Sequence, residues 1–525
     1  MVDVWKRYAA NNCKLLLIDK MRFLLLSVLA ACAGASSNYN GALRPQVHFS
    51  PPENWMNDPS VFVDKEGIYH LYYQHNPFDV VWGNMHWGHA TSPDLYHWTN
   101  QPIAIAPDNS THGIFTGSAV VDSENTSGFF SDQDNGVVAI YTLHTPELET
   151  QDIAYSHDGG RTFTKYENNP VINIGAPEFR DPHVRWHSDI SKWVMAVAYP
   201  DDLVIGFYTS PNLKDWTHSS NFSQPMPGKQ VECPNLVRFD VEGGQKDVLF
   251  ISINPGAPLG GSTTGYFVGH WDGHRFIADH DDYIFSDFAK DYYAAQWFPP
   301  IPGKSPISIA WASNWQYAGD LPPGKLEGFR GIQTPRVNAL KKNVDGIWIV
   351  TSNPVDDLQS VKGPQMSSQS AHTGSMTVDF SDIKSNAMKY DVRVVGLDDC
   401  EISGDVSFNF TSPESGEFFE GGIHLNTREF WLDRAGTHLY TTADNPHFTP
   451  TFNTTVPSFE HGQFGFSGVF DRSILETFLD DGDQVATTRF YSKSPLTVLT
   501  VSADGLCQGA LVQVKAWALE SGWGS

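Results

Sequence analysis

Cysteine is scarce in this sequence: only five of its 525 residues are Cys. So small a number excludes a fold held together mainly by disulfide bridges. Two of the five lie in the first 35 residues, which leaves Cys233, Cys400 and Cys507 for the rest of the chain. A bridge between Cys400 and Cys507 and a pair of free buried thiols are both compatible with this number.

Basic residues and long apolar runs are also lacking. The 34 Lys and Arg stand against 60 Asp and Glu, which gives a net charge of −26. This excess of negative charge argues against nucleic acids and anionic membranes as partners, because both carry charge of the same sign. No segment reaches the roughly 20 apolar residues that a membrane-spanning helix requires. We therefore expect no nucleic acid and no membrane as a partner.

The N-terminal region has the pattern of a secretory signal. Met21-Arg22 precedes an apolar stretch over 23–31, and the small residues Ala33-Gly34-Ala35 follow it. This order predicts a signal peptide within 1–35, with cleavage near Ala35 and with Met21 as an alternative start. Five Asn-X-Ser/Thr sequons agree with a secreted, extracellular glycoprotein, with cell-wall association left open. The predicted glycosylation sites are Asn109, Asn125, Asn221, Asn409 and Asn453.

Aromatic residues, glycine and proline are abundant instead. Aromatic residues make up 13% of the chain, and there are 44 Gly and 33 Pro. Many turns and many aromatic side chains are typical of all-β folds. A polar turn built on Asp94, Asp158, Asn212 and Asp272 recurs about every 60 residues, a period that fits four-stranded propeller blades with long loops.

Three segments place a carboxylate just before a proline and among apolar or aromatic residues. The carboxylates are Asp58, Asp181 and Glu232. A partly buried carboxylate requires a partner or a function. Phe115-Thr116-Gly117-Ser118 and Asp291-Tyr292-Tyr293 extend the same period of about 60 residues. The five segments predict five blades whose innermost strands converge on one polar funnel.

The pattern changes after about residue 345. Pro354, Gly363 and Pro364 indicate a linker, and short alternating runs typical of strands begin near residue 373. The predicted fold class is all-β, with a five-bladed β-propeller catalytic domain over 42–345, a linker over 346–372 and a C-terminal β-sandwich over 373–520.

A set of carboxylates among Trp, Tyr and Asn residues indicates a glycoside hydrolase. One carboxyl group protonates the leaving oxygen, and another attacks the sugar or activates water. Sugars also present apolar C–H faces that stack on aromatic rings. A sialidase would need an Arg cluster and a Tyr nucleophile, so it fits less well. A carbohydrate-binding propeller without activity is the non-enzyme alternative, and the presence of all three acids argues against it.

The motifs around these acids resemble those of glycoside hydrolase family 32. The matching segments are Trp55-Met56-Asn57-Asp58-Pro59, Phe179-Arg180-Asp181-Pro182 and Glu232-Cys233-Pro234, and together they are specific. The resemblance covers nearly the whole chain beyond the signal. The segments 42–49, 250–258 and 309–315 look like the yeast and fungal invertase branch of this family.

The resemblance implies cleavage of terminal β-D-fructofuranosides, with sucrose as the expected substrate. Asp58 would be the nucleophile that forms a covalent fructosyl intermediate, and Glu232 would be the acid and base. Asp181 would stabilise the transition state. The outcome would be retention, with the carboxyl groups of Asp58 and Glu232 about 5–5.5 Å apart. The implied substrate-binding residues are Asn57, Ser60, Gln74, Trp82, Phe115, Thr116, Arg180 and Trp315.

One departure from the family pattern follows the nucleophile. Ser60-Val61 stands where Asn-Gly is usual. Since these positions adjoin Asp58, fructosyl transfer stays open beside hydrolysis, and so does inulinase or levanase activity. His86, His89 and His97 lack metal-ligand spacing, so we expect no metal and no cofactor. A homo-oligomer is compatible with the sequence.

Overall fold

The computed structural model describes residues 39–398 and 401–524. The described residues from Gly41 onward form one compact unit. The predicted signal peptide in 1–35 lies outside the described residues. Cys507 is disulfide-bonded, whereas Cys400, with which a bridge or two free thiols were both compatible with the sequence, lies outside the described residues. Cys233 is free and buried.

The part of the chain up to residue 354 forms five antiparallel sheets, each built mainly from consecutive strands. The first sheet contains β1 (Asn54–Val63), β2 (Tyr69–Asn76), β3 (His86–Ser92) and β4 (Thr99–Ile105). The second contains β5 (Gly113–Val121), β6 (Val137–His144), β7 (Glu149–Ser156) and β8 (Thr164–Lys165). The third contains β9 (Arg180–His187), β10 (Lys192–Tyr199), β11 (Val204–Ser210) and β12 (Thr217–Phe222).

Two further sheets and one short helix complete this region. The fourth sheet contains β13 (Val231–Val241), β14 (Gly244–Ile253), β15 (Thr263–Trp271), β16 (Phe276–Ala278) and β17 (Ile284–Phe285). The fifth contains β18 (Tyr293–Trp297), β19 (Ile307–Trp311), β21 (Gln333–Lys342) and β22 (Trp348–Pro354). The helix α1 (Pro322–Leu326) precedes β20 (Phe329–Arg330), which pairs in parallel with β1.

The first strands of the five sheets lie next to one another. β1 contacts β5, β5 contacts β9, β9 contacts β13, β13 contacts β18, and β18 contacts β1. The five sequence segments that recur with a period of about 60 residues lie on these five strands or at their starts. Residues far apart in sequence are thereby brought to neighbouring strands.

The recurring polar turn joins the third and fourth strands of the first four sheets. In the first sheet, Oδ1 of Asp94 accepts hydrogen bonds from the backbone N–H groups of Tyr96 and His97. Asp158, Asn212 and Asp272 accept equivalent backbone hydrogen bonds in the next three sheets. Those at Asp94, Asn212 and Asp272 are Asx turns, and in all four a short polar side chain accepts from the backbone of its own loop. The prediction of a repeated hairpin corner is confirmed.

Prolines interrupt the strand pairing next to the predicted acids. The register of β1 shifts between Met56 and Pro59, and that of β13 shifts between Glu232 and Asn235. Proline has no N–H to donate, so it favours a bulge at these points. Asp181 and Cys233, each directly before a proline, adopt positive φ angles of 65° and 48°. Such backbone conformations are uncommon for these residues and concentrate at functional sites.

The C-terminal region forms two six-stranded antiparallel sheets around a shared core. Apolar side chains from both sheets, such as Phe408 and Phe466, belong to one buried cluster, as in a β-sandwich. One sheet contains β23 (Lys362–Ala371), β34 (Leu511–Leu519), β25 (Ala387–Val395), β30 (Phe464–Asp471), β31 (Ile474–Leu479) and β32 (Gln484–Arg489). The other contains β24 (Gly374–Asp379), β33 (Val498–Asp504), β26 (Asp405–Thr411), β27 (Phe418–His424), β28 (Glu429–Asp433) and β29 (Thr451–Thr455).

The segment predicted as a linker, 346–372, differs from that prediction. It contains all of β22 and β23, and only seven residues, 355–361, lie between these two strands. Gly363 and Pro364 belong to β23, whose pairing with β34 shifts register between Lys362 and Gln365. β23 is an edge strand, where proline is tolerated because one side of the strand is unpaired. An edge strand can therefore contain the glycine and proline that are typical of a linker.

A buried group of charges joins the N-terminal sheets to the C-terminal ones. The ring nitrogens of His48 lie 3.0 Å from Asp471 Oδ2 and 2.9 Å from Glu476 Oε2. Arg336, on β21, donates to Glu476 and to Asp287. Since buried charges require partners, this network fixes the two regions in one orientation. None of the helices in 39–398 and 401–524 is both long and apolar enough for a membrane span.

Candidate active site

The three predicted catalytic acids lie close together on β1, β9 and β13. Cys233, the residue after Glu232, connects them. Its N–H donates to Asp181 Oδ2 over 3.0 Å. Its Sγ lies 3.5 Å from that same oxygen and 3.9 Å from Asp58 Oδ2. The side chains of Asp58 and Asp181 therefore lie on either side of one buried thiol, next to the backbone of Glu232.

The surroundings of the two aspartates raise their pKa values. Burial raises the pKa of Asp58 well above its usual range, and the charges of Glu232 and Asp181 add to this effect. Burial and the charge of Glu232 raise the pKa of Asp181 to about 7, against the opposing effect of Arg180. Among the described residues, Asp58 Oδ1 is buried without a hydrogen-bond partner. Desolvation and crowded like charges are the usual means by which catalytic carboxyl groups are tuned.

Both oxygens of Glu232 have donors. Oε1 accepts from Nε of Arg180 over 3.0 Å and lies 2.9 Å from Nη2 of the same guanidinium. Oε2 accepts from the hydroxyl of Tyr293, at the start of β18. The carboxyl group is therefore held between the third and fifth sheets. Its side chain keeps 15% of its surface exposed, so it can still reach a bound ligand.

Arg180 is one of the residues predicted to bind the substrate. Its guanidinium donates to Glu232, Glu149 and Glu178. Its charge also opposes the rise in the pKa of Asp181, the next residue in the chain. The guanidinium is surrounded by three carboxyl groups and positions the predicted acid.

Of the amide and hydroxyl residues predicted to bind the sugar, Thr116 contacts Asp58, and Asn57 and Gln74 are held by other groups. Oγ1 of Thr116 lies 3.5 Å from Asp58 Oδ2. The Asn57 Oδ1 atom accepts a 2.7 Å hydrogen bond from Trp55 Nε1. Nε2 of Gln74 donates to the Ile114 carbonyl over 3.0 Å. These side chains are buried and anchored to backbone or ring groups, which fixes their orientation.

The three aromatic residues predicted to bind the sugar each pack against another aromatic ring. The ring of Trp315 stacks on Trp55 at a centroid distance of 5.9 Å. The ring of Trp82 meets Phe115 edge-on at 5.9 Å, and Phe115 stacks on His144. Trp82 is 49% exposed. These rings give the site apolar surfaces of the kind that sugar C–H faces contact.

Ser60 lies in a different environment from the other predicted pocket residues. It is almost fully buried, and its Oγ accepts a 3.1 Å hydrogen bond from the N–H of Gly117. This contact joins β1 to β5. Val61 pairs regularly with Leu71 of β2, and a β-branched residue is favoured in such extended backbone. The unusual Ser60-Val61 pair thus contributes to the packing of the first two sheets.

Two residues that contact the predicted acids, and one that contacts Arg180, were not among the predicted site residues. Tyr293 belongs to the fifth segment of the 60-residue period, which was a usable signal. Cys233 belongs to the third motif. Glu149, which accepts from Arg180, had no distinguishing signal in the sequence. In the described part of the chain there is no group of three or more His, Cys, Asp or Glu residues suited to a metal ion.

The chain matches the family model of the glycosyl hydrolases family 32 N-terminal domain over residues 48–347 and that of the C-terminal domain over 339–518. Invertase 1 of Saccharomyces cerevisiae is 38% identical over 502 residues, 89% of this chain and 93% of that protein. An extracellular exo-inulinase of Meyerozyma guilliermondii is 37% identical over 481 residues, 85% of this chain and 90% of that protein.

A solved structure of a fructofuranosidase is similar to this chain. The fructofuranosidase of Schwanniomyces occidentalis complexed with fructose superposes with a TM-score of 0.84 at 34% identity. The match covers 93% of this chain and 99% of that one. With both family models matched over most of its length, the chain belongs to glycosyl hydrolases family 32.

Proposed function

We propose that this protein is a secreted hydrolase of terminal β-D-fructofuranosides that cleaves sucrose to glucose and fructose. The observation that carries the proposal is the cluster of Asp58, Asp181 and Glu232 around Cys233, with Glu232 held by Arg180. The similarity to an invertase and to a fructofuranosidase in complex with fructose supports the substrate class.

In the first half of the reaction, Asp58 is the nucleophile. Its carboxylate oxygen bonds to the anomeric carbon of the fructosyl group while the bond from that carbon to the bridging oxygen breaks. The carboxyl proton of Glu232 passes to the bridging oxygen, so that glucose leaves as an alcohol. Asp181 accepts hydrogen bonds from fructose hydroxyls, which strengthen as positive charge develops on the ring.

In the second half, Glu232 is a carboxylate and acts as a base. It takes a proton from water, whose oxygen attacks the anomeric carbon and releases Asp58. Two inversions give net retention, and the predicted separation of about 5–5.5 Å between the two carboxyl groups belongs to this mechanism. Asn57, Gln74, Thr116, Trp82, Phe115 and Trp315 surround the fructosyl group.

The architecture proposed for this activity is a five-bladed β-propeller followed by a β-sandwich. The contacts that run from β1 through β5, β9, β13 and β18 back to β1 support closure into a propeller. Asp181 and Glu232 lie near the starts of β9 and β13, and Asp58 lies in the first half of β1. The funnel at that end of the propeller is the proposed substrate site.

Secretion is part of the proposal. The extracellular exo-inulinase among the relatives supports it, as do the sequons. Three of the sequon asparagines, Asn109, Asn221 and Asn453, are exposed, whereas Asn125 and Asn409 are partly buried. We expect glycans chiefly at the three exposed positions.

Two activities on the same scaffold are alternatives. The likeness to an exo-inulinase favours release of fructose from inulin or levan as a second candidate. Fructosyl transfer to a sugar in place of water is the other, since both acceptors would attack the same covalent intermediate.

Product analysis on sucrose, raffinose and inulin in parallel tests the proposal. We expect sucrose and raffinose to be cleaved with free fructose as a product, and free fructose to equal free glucose from sucrose at high concentration. A clear deficit of free fructose would show major transfer. Preference for inulin would assign the exo-inulinase activity, and no release of fructose from any substrate would overturn the proposal.

A further inference from the structure

Tyr293 is placed to act on the predicted acid and base. Its hydroxyl donates to Oε2 of Glu232. The ring is fully buried and meets Trp311 edge-on at a centroid distance of 6.4 Å. Tyr293 begins β18, where the pairing with β19 is irregular between Tyr293 and Gln296. The phenol is thus held rigidly at one oxygen of the carboxyl group.

The two partners of Glu232 differ in what they can do. The Arg180 guanidinium is always charged and can only donate hydrogen bonds. The phenol donates to Oε2, which keeps a free lone pair both in the carboxylate and as the hydroxyl oxygen of the protonated carboxyl group. Its hydrogen bond can therefore persist while Oε2 carries its proton in the first half of the reaction and lacks it in the second, whereas Arg180 contacts Oε1.

The phenol itself stays protonated. Burial raises the pKa of Tyr293 well above its usual range, and the charges of Glu232, Cys233 and Asp58 add to this. Tyr293 therefore takes no part in proton transfer to the sugar. Its contribution is the placement of the Glu232 carboxyl group.

We propose that Tyr293 is a positioning residue that holds Oε2 of Glu232 in line with the leaving oxygen through both halves of the reaction. This rests on the proposed function of Glu232 as acid and base. In the first half the proton on Oε2 of Glu232 points at the leaving oxygen and passes to it, while the Tyr293 hydroxyl donates to a lone pair of the same Oε2. In the second half Oε2 takes a proton from water, and the hydrogen bond from Tyr293 stays in place.

Tyr293→Phe removes the hydroxyl and keeps the ring. We expect kcat/KM for sucrose to fall about 10- to 100-fold, part of the contribution of a well-placed general acid. β-D-Fructofuranosyl fluoride needs little or no proton on its leaving group, and kcat/KM covers only the steps up to departure of that group. With the fluoride, kcat/KM of Tyr293→Phe should stay within about twofold of the unaltered protein.

The pH profile gives a second readout. Loss of a donor to the carboxylate favours the protonated form of the carboxyl group. The alkaline limb of kcat/KM for sucrose should therefore move to higher pH in Tyr293→Phe. Tyr292→Phe is the matched control, since Tyr292 is also buried but faces the guanidinium of Arg336 at 4.1 Å. Tyr292→Phe should change neither the ratio of kcat/KM for sucrose to kcat/KM for the fluoride nor the alkaline limb of the pH profile.

An equal fall of kcat/KM for sucrose and fluoride, with an unmoved alkaline limb, would overturn the proposal and assign Tyr293 a packing role. Thermal unfolding of each variant establishes that it is folded. If Tyr293→Phe does not fold, Tyr293→Met, which also lacks a donor to Oε2, replaces it, and the same comparison of substrates applies to it. Failure of the proposed function would appear separately, as absence of activity of the unaltered protein on both substrates.

Discussion

Arg180 binds Glu232 and not its sequence neighbour Asp181. Its Nε and Nη2 atoms lie 3.0 and 2.9 Å from Oε1 of Glu232. The remaining Nη1 atom donates to Glu149 and Glu178. The guanidinium of Arg180 thus connects the predicted acid to two further carboxyl groups. A lysine ammonium could not reproduce this geometry.

Arg180→Lys should weaken catalysis more than binding of the sugar. A lysine ammonium cannot occupy the positions of both Nε and Nη2, so Glu232 loses part of its support. We expect kcat/KM for sucrose to fall about 10²-fold. Steady-state kinetics with Arg275→Lys, an exposed control, provide the comparison. Unchanged kinetics in Arg180→Lys would show that catalysis does not depend on the hydrogen bonds of the Arg180 guanidinium to Glu232.

Asp58→Asn should abolish turnover while the protein stays folded. An amide cannot form the covalent fructosyl intermediate, so kcat for sucrose should fall by about 10³-fold or more. Glucose release and circular dichroism measure activity and folding. Asp108→Asn, at an exposed carboxylate, is the control. Retained activity in Asp58→Asn would remove Asp58 from the role of nucleophile.

Asp181→Asn should stabilise the protein at alkaline pH while reducing its activity. The pKa of Asp181 is raised to about 7 from 3.8, chiefly by burial. The folded form therefore binds this proton more tightly, and the associated stability is complete below pH 3.8 and lost as the pH rises through 7. At pH 8 the neutral amide should unfold with a free energy greater by on the order of 1 to 4 kcal/mol, and near pH 4 by about zero.

Denaturant unfolding of Asp181→Asn at pH 4 and pH 8 measures this difference. Asp108→Asn, at an exposed residue, should not change the free energy of unfolding at either pH. A gain in stability at pH 4 that equals the gain at pH 8 would mean that ionisation of Asp181 is not its source.

His48 should stabilise the contact between the N-terminal and C-terminal sheets in a pH-dependent way. Burial by itself would lower the pKa of His48, but its hydrogen bonds to Asp471 and Glu476 raise it to about 9. The stability it contributes is complete below pH 6.5 and is lost as the pH rises through 9. His48→Asn should reduce the free energy of unfolding by about 3 kcal/mol at pH 6.

The loss caused by His48→Asn should shrink at pH 10, where the unaltered His48 is largely neutral. Denaturant unfolding at both pH values measures it, with the exposed His280→Asn as control. A loss of the same size at pH 6 and pH 10 would indicate a packing effect without a charge contribution.

Phe78 should affect long substrates more than sucrose. It is 73% exposed, on a loop held by hydrogen bonds from Trp55 to the Asp79 carbonyl and from Arg330 to the Val80 carbonyl. An exposed aromatic ring on an anchored loop beside the site suits the C–H faces of further sugar units. Phe78→Ala should raise KM for inulin roughly 3- to 10-fold and KM for sucrose less than about twofold.

Initial rates over a range of inulin and sucrose concentrations test this, with Val344→Ala as a control at another exposed apolar residue. Equal effects of Phe78→Ala on both substrates would place Phe78 in contact with the fructosyl or glucosyl unit alone.

Local sequence patterns predicted the repeated parts of the fold well. The turns at Asp94, Asp158, Asn212 and Asp272 depend on a side chain bonding its own loop, so a few adjacent residues determine them. The linker prediction failed because Gly363 and Pro364 suit an edge strand as well as a linker, and strand pairing is a non-local property.

The sequence by itself determined the family and the all-β class and predicted the three acids, because motifs and turns are encoded by neighbouring residues. Only the tertiary structure decided what each side chain contacts. It directed Arg180 to Glu232, brought Tyr293 from β18 to the same carboxyl group and buried Ser60 against Gly117. Those contacts join residues on different strands, and their directions depend on how the bulged strands pack, which no local pattern encodes.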